Sequence, residues 1–294
     1  MTMDIKWFEK SGKEGDVVIS SRIRLARNLQ KIPFPIRMNE QQKRQVRDNI
    51  VQAAKQSTNA TLRNLIYIDM EQVDKIEAVS MVENHLVSPD FISNPKGRGL
   101  LLSKDNSIAI MINEEDHLRI QVMKEGMDLS AVYQLADQID SALNDTLHFA
   151  FDSELGYLTQ CPTNLGTGMR ASLMLHLPSL QQNGMIKRIS DNLSKLGLTL
   201  RGTYGEGTEP VGALYQLSNQ VTLGLSEKEA IENLERIVMQ LVETYTGVAM
   251  SMLDYMVVGI PGTVILGILS FLVFRFIVRP DVSKFMNYDP EKRS

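Results

Sequence analysis

The chain has 294 residues, 22% of them charged, with a formal net charge of −4 at pH 7 and a pI near 5.7. That balance argues against general nucleic-acid binding, which calls for a strongly basic surface. Cys161 is the single cysteine, so no intrachain disulfide can form, and four histidines with one cysteine make no zinc pattern.

The first ten residues have no apolar core and do not resemble a signal peptide. From Val17 to Leu25 the pattern is that of a strand, with Arg22 and Arg24 on one side and Ile23 and Leu25 on the other. Glu40 to Gln56 is expected to be a helix with Val46, Ile50 and Ala53 on one face. Apolar runs at 64–68, 100–103 and 107–112, and the segment Arg119 to Met123, suggest strands. Leu129 to Leu143 aligns Val132, Leu135, Ala136, Ile139 and Leu143 as an amphipathic helix. Leu180 to Leu196 is expected to be another, stopped by Gly197, followed by a strand-rich segment from Thr199 to Leu223. Ser226 and Glu229 form a capping box for a helix over 227–244, with Ile231, Leu234, Val238 and Leu241 as its seam. Strands in runs with helices between the runs indicate an α+β fold.

Composition then changes. Met256 to Phe274 is a run of nineteen residues without a charge, about long enough to cross a bilayer core. Arg275, Arg279 and Lys284 flank it, and Gly259, Pro261 and Gly262 would kink it. The expected organisation is a globular domain over 1–245 and a tail over 246–294 with a candidate transmembrane helix at 256–274.

Four short motifs carry the chemistry: SSRIRLAR (20–27), NEEDHLR (113–119), CPTNLGTGMR (161–170) and RGTYGEGTE (201–209). They bring Arg22, Arg24, Arg119, Arg170 and Arg201. Arginine keeps its charge and presents a planar fork of donors suited to phosphate oxygens. Five around one point would hold a polyphosphate. The stretch Leu165 to Gly168 offers backbone N–H groups to phosphate but lacks the ending of a P-loop. Glu115 and Glu206 add carboxylates, and clamps plus positioned carboxylates suggest phosphoryl transfer. Glu114, Glu115 and Asp116 are consecutive and cannot share one direction; as an ordinary turn they would be solvated. Glycines at 202, 205, 207 and 212 suit a loop that closes over substrate and excludes water. Arg27 is expected at the surface and His117 in a structural role.

Together the motifs resemble the phosphagen (guanidino) kinases over roughly residues 15–243, and among them the bacterial branch that acts on arginine in proteins. Only nineteen residues precede Ser20, too few for the helical domain that encloses small substrates in other members, so a protein-bound arginine is the expected acceptor. The resemblance implies a large antiparallel sheet flanked by helices, the glutamine-synthetase-like catalytic fold. It implies ATP with Mg²⁺ and in-line transfer of the γ-phosphoryl group. It makes Glu115 the base, Glu206 the second guanidinium contact and Cys161 an orienting thiol. It assigns to ATP Ser20, Ser21, Arg22, Ile23, Arg24, His85 near the base, Arg119, Arg170, Ala171, Ser172, Leu173, Met174, Arg201, Gly202, Thr203, Tyr204, Gly205 and Glu206, with no protein-held metal. Implied partners are protein substrates with exposed arginines, a small zinc-binding activator, a stress-gene repressor and the Clp protease, without nucleic acid. The expected location is the cytoplasm, with attachment to the membrane through the C-terminal helix. A kinase for free arginine or another small guanidino compound is the alternative. The RDxxRA phosphoarginine-binding motif that the resemblance would place after the catalytic domain does not occur in this sequence. That leaves a third alternative, an inactive or regulatory membrane-bound module.

Overall fold

The structure is a computed structural model that describes residues 12–202 and 211–245. The segment 256–274 and the residues Thr203, Tyr204, Gly205, Glu206 and Gly207 lie outside the described residues. In chain order the elements begin with β1 (Val18–Arg27), α1 (Glu40–Gln56), α2 (Ala60–Arg63), β2 (Ile66–Asp69), α3 (Lys75–Glu83) and α4 (Pro89–Ser93). Then come β3 (Gly99–Leu102), β4 (Ile108–Ile112), β5 (Leu118–Glu125), α5 (Leu129–Leu147), β6 (Phe151–Asp152) and β7 (Gly156–Tyr157). The series closes with β8 (Met169–His176), α6 (Pro178–Gln182), α7 (Ile186–Lys195), β9 (Leu198–Gly202), β10 (Leu214–Asn219) and α8 (Glu227–Tyr245). By its contacts the chain divides between Met239 and Gln240, and the sheet belongs wholly to the first unit.

Eight strands form one sheet in the order β2-β3-β4-β5-β1-β8-β10-β9, every pair antiparallel. β1 is its axis, paired along its length with β5 on one side and β8 on the other. Side chains alternate along a strand, and residues directly opposite share a face. Ile23 stands opposite Val122 and Ala171, and Leu25 opposite Ile120 and Met169. This apolar face is buried under α5, whose Val132, Ala136, Ile139 and Leu143 are buried in turn. On the other face the β2–β5 half is covered by the segment containing α3 and α4. Met81, Leu86, Val87 and Phe91 bury there against Leu100, Leu102, Ala109, Met111 and Met123. The arginines lie beyond that cover on the same face, on β5, β1, β8 and β9.

The expected strands and the helices at 40–56, 129–143 and 227–244 are present, α5 running on to Leu147. Ser226 and Glu229 do form the box, the Glu229 N–H donating to Ser226 Oγ and the Ser226 N–H to Glu229 Oε2. Two expectations need correction. The single helix over 180–196 is two, α6 and α7, because Gly184 adopts φ of 65° and ends the first. Arg27 is not at the surface: it is 2% exposed and forms a bidentate pair with Asp140 of α5, Nε to Oδ1 at 2.9 Å and Nη2 to Oδ2 at 3.1 Å. Its Nη1 donates to the carbonyls of Ala26 and Thr167, and its guanidinium lies 3.4 Å over the Tyr157 ring. One side chain thus ties β1 to α5, β7 and the loop before β8. Helices α2, α3 and α4 were not anticipated from periodicity. Each is short and starts at a side-chain cap, from Asn59, Asp74 and Ser88 respectively.

Removing one partner of the Arg27–Asp140 pair leaves a buried charge without compensation. Asp140→Ala should therefore lower unfolding free energy by about 3–5 kcal/mol, whereas Arg27→Met combined with Asp140→Leu should recover much of that loss. Urea unfolding of the two variants checks this. A loss below about 1 kcal/mol for Asp140→Ala would show that the network does not hold the sheet to α5.

Candidate active site

The arginine row follows from register. Arg24 on β1 stands opposite Arg170 on β8 and Gln121 on β5, while Ala26 stands opposite Arg119. Ser20 pairs with Met174, Met174 with Gln216 on β10, and Gln216 with Arg201 on β9. Opposite residues share a face, so Arg22, Arg24, Arg119, Arg170 and Arg201 come from four strands onto one face. All five line a cleft of about 220 Å³. The charges act on one another. Burial, then Arg119 and Arg170, lower the Arg22 guanidinium to about 10, and burial with the same neighbours and Arg22 lowers Arg24 well below its usual value. Among the described residues neither Arg22 nor Arg24 pairs with a carboxylate. A half-buried cluster of like charge facing a cleft fits a polyanion, which would relieve both the repulsion and the lost hydration.

Among the described residues the rest of that cleft's lining is apolar or neutral. Val82, Val87, Pro89 and Met111 line it with His85, a residue at φ of 58°. Burial, then Arg22, lower the His85 pKa, which favours the neutral ring. The Gln121 amide donates to the His85 carbonyl at 2.9 Å and so fixes that turn. Ser20, Ser172 and Met174 line a small recess beside Arg22 and His85, and Arg22 Nε donates to Ser172 Oγ at 3.3 Å. Gly202 lines the same cleft as His85. Ser21, Ile23, Ala171 and Leu173 do not reach it: their side chains are buried on the α5 face, and Ser21 Oγ bonds the Gly126 carbonyl at 2.7 Å.

The acidic turn is not solvated, contrary to the expectation for such a run. Asn113, at φ of 61°, is buried and anchors it by donating to the carbonyls of Lys43 and Gly97, both at 2.8 Å. Glu114 is buried and receives Arg119 through both oxygens, at 2.8 and 2.9 Å, together with the Ser88 hydroxyl. Asp116 is buried too, accepting from the Asn28 amide at 2.6 Å and from the Gln160 N–H at 2.8 Å, immediately before Cys161. Only Glu115 is left with an open side. It lies 3.4 Å from Arg119, and burial pushes its carboxyl above the usual carboxylate range while Arg119 opposes the shift. His117 is structural, as expected. The Leu29 N–H donates to its Nδ1 at 2.9 Å, which leaves the proton on Nε2 facing the Pro33 carbonyl, and burial lowers its pKa to about 4.

Glu115 faces a second cleft of about 550 Å³ with Cys161. Arg24, Arg119, Arg170 and Arg201 border both clefts. Cys161 is partly exposed, its Sγ 3.0 Å from Thr163 Oγ1. The glycines after it serve packing. A Cβ on Gly166 would strike the Thr222 carbonyl, and one on Gly168 would lie 2.7 Å from the Ala26 carbonyl. The Thr167 N–H donates to Thr222 at 2.9 Å and is therefore not offered to an anion. Glu114, Ser88, Gln121 and Gln216 also belong to the site, and no motif marks them as such. The serine was legible as a cap before Pro89; the others show only once register is known.

A family model described as ATP:guanido phosphotransferase, C-terminal catalytic domain, matches residues 45–246. The chain is 49% identical over 238 residues to a protein-arginine kinase of Desulforamulus reducens, covering 81% of this chain and 67% of that protein. It is 46% identical over 237 residues to one of Halothermothrix orenii, with the same two shares, 81% and 67%. Among solved structures it is similar to a lombricine kinase, with TM-score 0.71 and 26% identity over 83% of this chain and 70% of that one. It is also similar to the duplicated taurocyamine kinase of Schistosoma mansoni with bound transition-state-analogue components, with TM-score 0.71 and 28% identity over 83% of this chain and 35% of that one. On the match across residues 45–246 and these identities, the chain belongs to the ATP:guanido phosphotransferase family.

Proposed function

We propose that this chain transfers the γ-phosphoryl group of MgATP directly to the guanidinium of arginine side chains in proteins. The observation that carries the reading is the wall of four arginines shared by two clefts. One cleft is lined by His85 and apolar side chains, the other by Glu115 and Cys161. A nucleotide in the first and a guanidinium in the second would meet at the arginines. The identity to protein-arginine kinases supports an acceptor within a protein.

In this reading the bond from Pγ to the β–γ bridging oxygen breaks as a guanidinium nitrogen forms a new bond to phosphorus. ADP leaves, and the proton lost by that nitrogen passes to the Glu115 carboxylate. A guanidinium is a poor nucleophile until it loses that proton. The raised carboxyl of Glu115 makes it a better acceptor at neutral pH. Arg22, Arg24, Arg119, Arg170 and Arg201 hold phosphate oxygens and the charge that moves between them. Mg²⁺ comes with the nucleotide and neutralises phosphate charge. Glu206 would grip the other edge of the guanidinium, and Cys161 would orient it. Residues 1–245 would be the catalytic domain. A zinc-binding activator, a stress-gene repressor and the Clp protease are proposed partners on the resemblance alone.

Among the described residues no helix is long and apolar enough to cross a membrane. The run 256–274 lies outside them, and we retain it as a proposed anchor for a cytoplasmic enzyme. Carbonate washing of a membrane fraction should leave the full chain behind. Recovery of all of it in the soluble fraction would refute the anchor.

Glu115→Gln should lower kcat by about 10²–10⁴-fold with little change in the KM for ATP. In the unsubstituted enzyme the rate should fall as pH drops through a pKa above the ordinary carboxylate range, because a protonated Glu115 cannot accept a proton. An undiminished kcat in the variant would place the base elsewhere. Free arginine offers the site only its guanidinium and short stem. Its kcat/KM should therefore lie well below that of a protein arginine, and equal values would favour a small-guanidino kinase.

A further inference from the structure

The second cleft ends on an apolar lip. Val221 and Leu223 line it beside Glu115 and Cys161, and they remain 41% and 49% exposed. Leu225 and Leu196 extend the exposed apolar surface. Leu196 adjoins the lip because the Gln220 N–H donates to the Gly197 carbonyl at 2.8 Å. The lip is held in place rather than hanging loose. Thr222, between its two side chains, is buried, with its hydroxyl 2.7 Å from the Leu165 carbonyl and 3.0 Å from that of Thr163. The Thr222 carbonyl in turn accepts from Thr167. Anchoring the residue between them in the loop that follows Cys161 presents Val221 and Leu223 at the cleft mouth. A contiguous exposed apolar patch at the rim of a charged cleft is the kind of surface that marks a contact site.

An arginine within a polypeptide can reach Glu115 only by bringing its own backbone to that mouth. In an extended segment alternate side chains share a face, about 7 Å apart. Residues two positions before and after the target therefore turn toward the same surface as the target. The arginine wall repels basic neighbours there, and the lip offers an apolar seat.

Building on the protein-arginine reading above, we propose that Val221 and Leu223 form a subsite for an apolar side chain two positions from the target arginine of a protein substrate. Two peptides test this, each with a single arginine, one carrying Leu and the other Ser at both positions two residues away. Phosphoarginine formation by the full chain gives kcat/KM for each. The Leu peptide should be favoured about fivefold, the effect of half-burying one leucine. In Val221→Ser/Leu223→Ser the ratio should fall to near one. A general loss of activity lowers both peptides alike and leaves the ratio intact, so an intact ratio in that variant overturns the subsite. Leu223→Lys supplies a second measurement, since it should turn the preference toward a peptide with Asp at those positions. Equal rates on the Leu and Ser peptides with the unsubstituted chain would sink the subsite alone. Absence of phosphoarginine on every peptide would sink the kinase reading and the subsite with it.

Discussion

Mutual repulsion among the arginines on one face of the sheet is the constraint from which the rest follows. Arg22 and Arg24 are adjacent on that face of β1, and Arg119 and Arg170 press on them from the neighbouring strands. No isolated hairpin would hold them so, because like charges on neighbouring strands destabilise the pair. The opposite face supplies what the arginine face lacks. Ile23, Leu25, Ile120, Val122, Ala171 and Leu173 are almost wholly buried. Burial of that apolar area outweighs the repulsion. The site is thus a buried cluster of like charge on a scaffold braced from behind, and an anionic ligand would relieve both its lost hydration and its repulsion.

The brace is itself electrostatic at one end. Arg27 falls by the alternation of β1 on the face of Ile23 and Leu25, and so meets α5 instead of the cleft. There Asp140 and two carbonyls take four of its five N–H donors, and the guanidinium lies over the Tyr157 ring. The same residue type in the same motif therefore does two jobs. What separates them is only which face the residue meets and whether a carboxylate waits there. Fixing the Thr167 carbonyl through Arg27 also sets the start of β8, and with it the position of Arg170 three residues on.

Much of this was legible from the sequence because it is periodic. The strand alternation around Arg22 and Arg24, the faces of α1 and α5, and the capping box at Ser226 are local patterns with local causes. What was not legible depends on partners distant in the chain. Arg27 pairs with Asp140, 113 residues away, and nothing near either residue announces the other. Glu114 and Asp116 read as a solvated acidic run because, Arg119 apart, their partners Ser88, Asn28 and Gln160 lie 26, 88 and 44 residues away. The glycines at 166 and 168 looked like donors to phosphate, yet close packing against Thr222 and Ala26 is what requires them. The break in 180–196 has a local cause: apolar spacing runs unbroken through Gly184, whose positive φ ends the first helix.

The acidic turn shows how one short segment can serve both clefts. Glu114 reaches Ser88, which caps α4 and borders the first cleft, and it also holds Arg119, which borders both. Asp116 reaches Gln160 and so sets the backbone before Cys161 in the second cleft. Between them Glu115 is held by its neighbours on either side rather than by bonds of its own carboxylate, apart from the 3.4 Å approach of Arg119. Two buried acids with satisfied partners cost desolvation, but that cost falls on residues that need not change charge. The third keeps an accessible oxygen, a raised pKa and a rigid backbone. That is the combination a proton acceptor needs, and it arises because the flanking carboxylates have been spent on geometry.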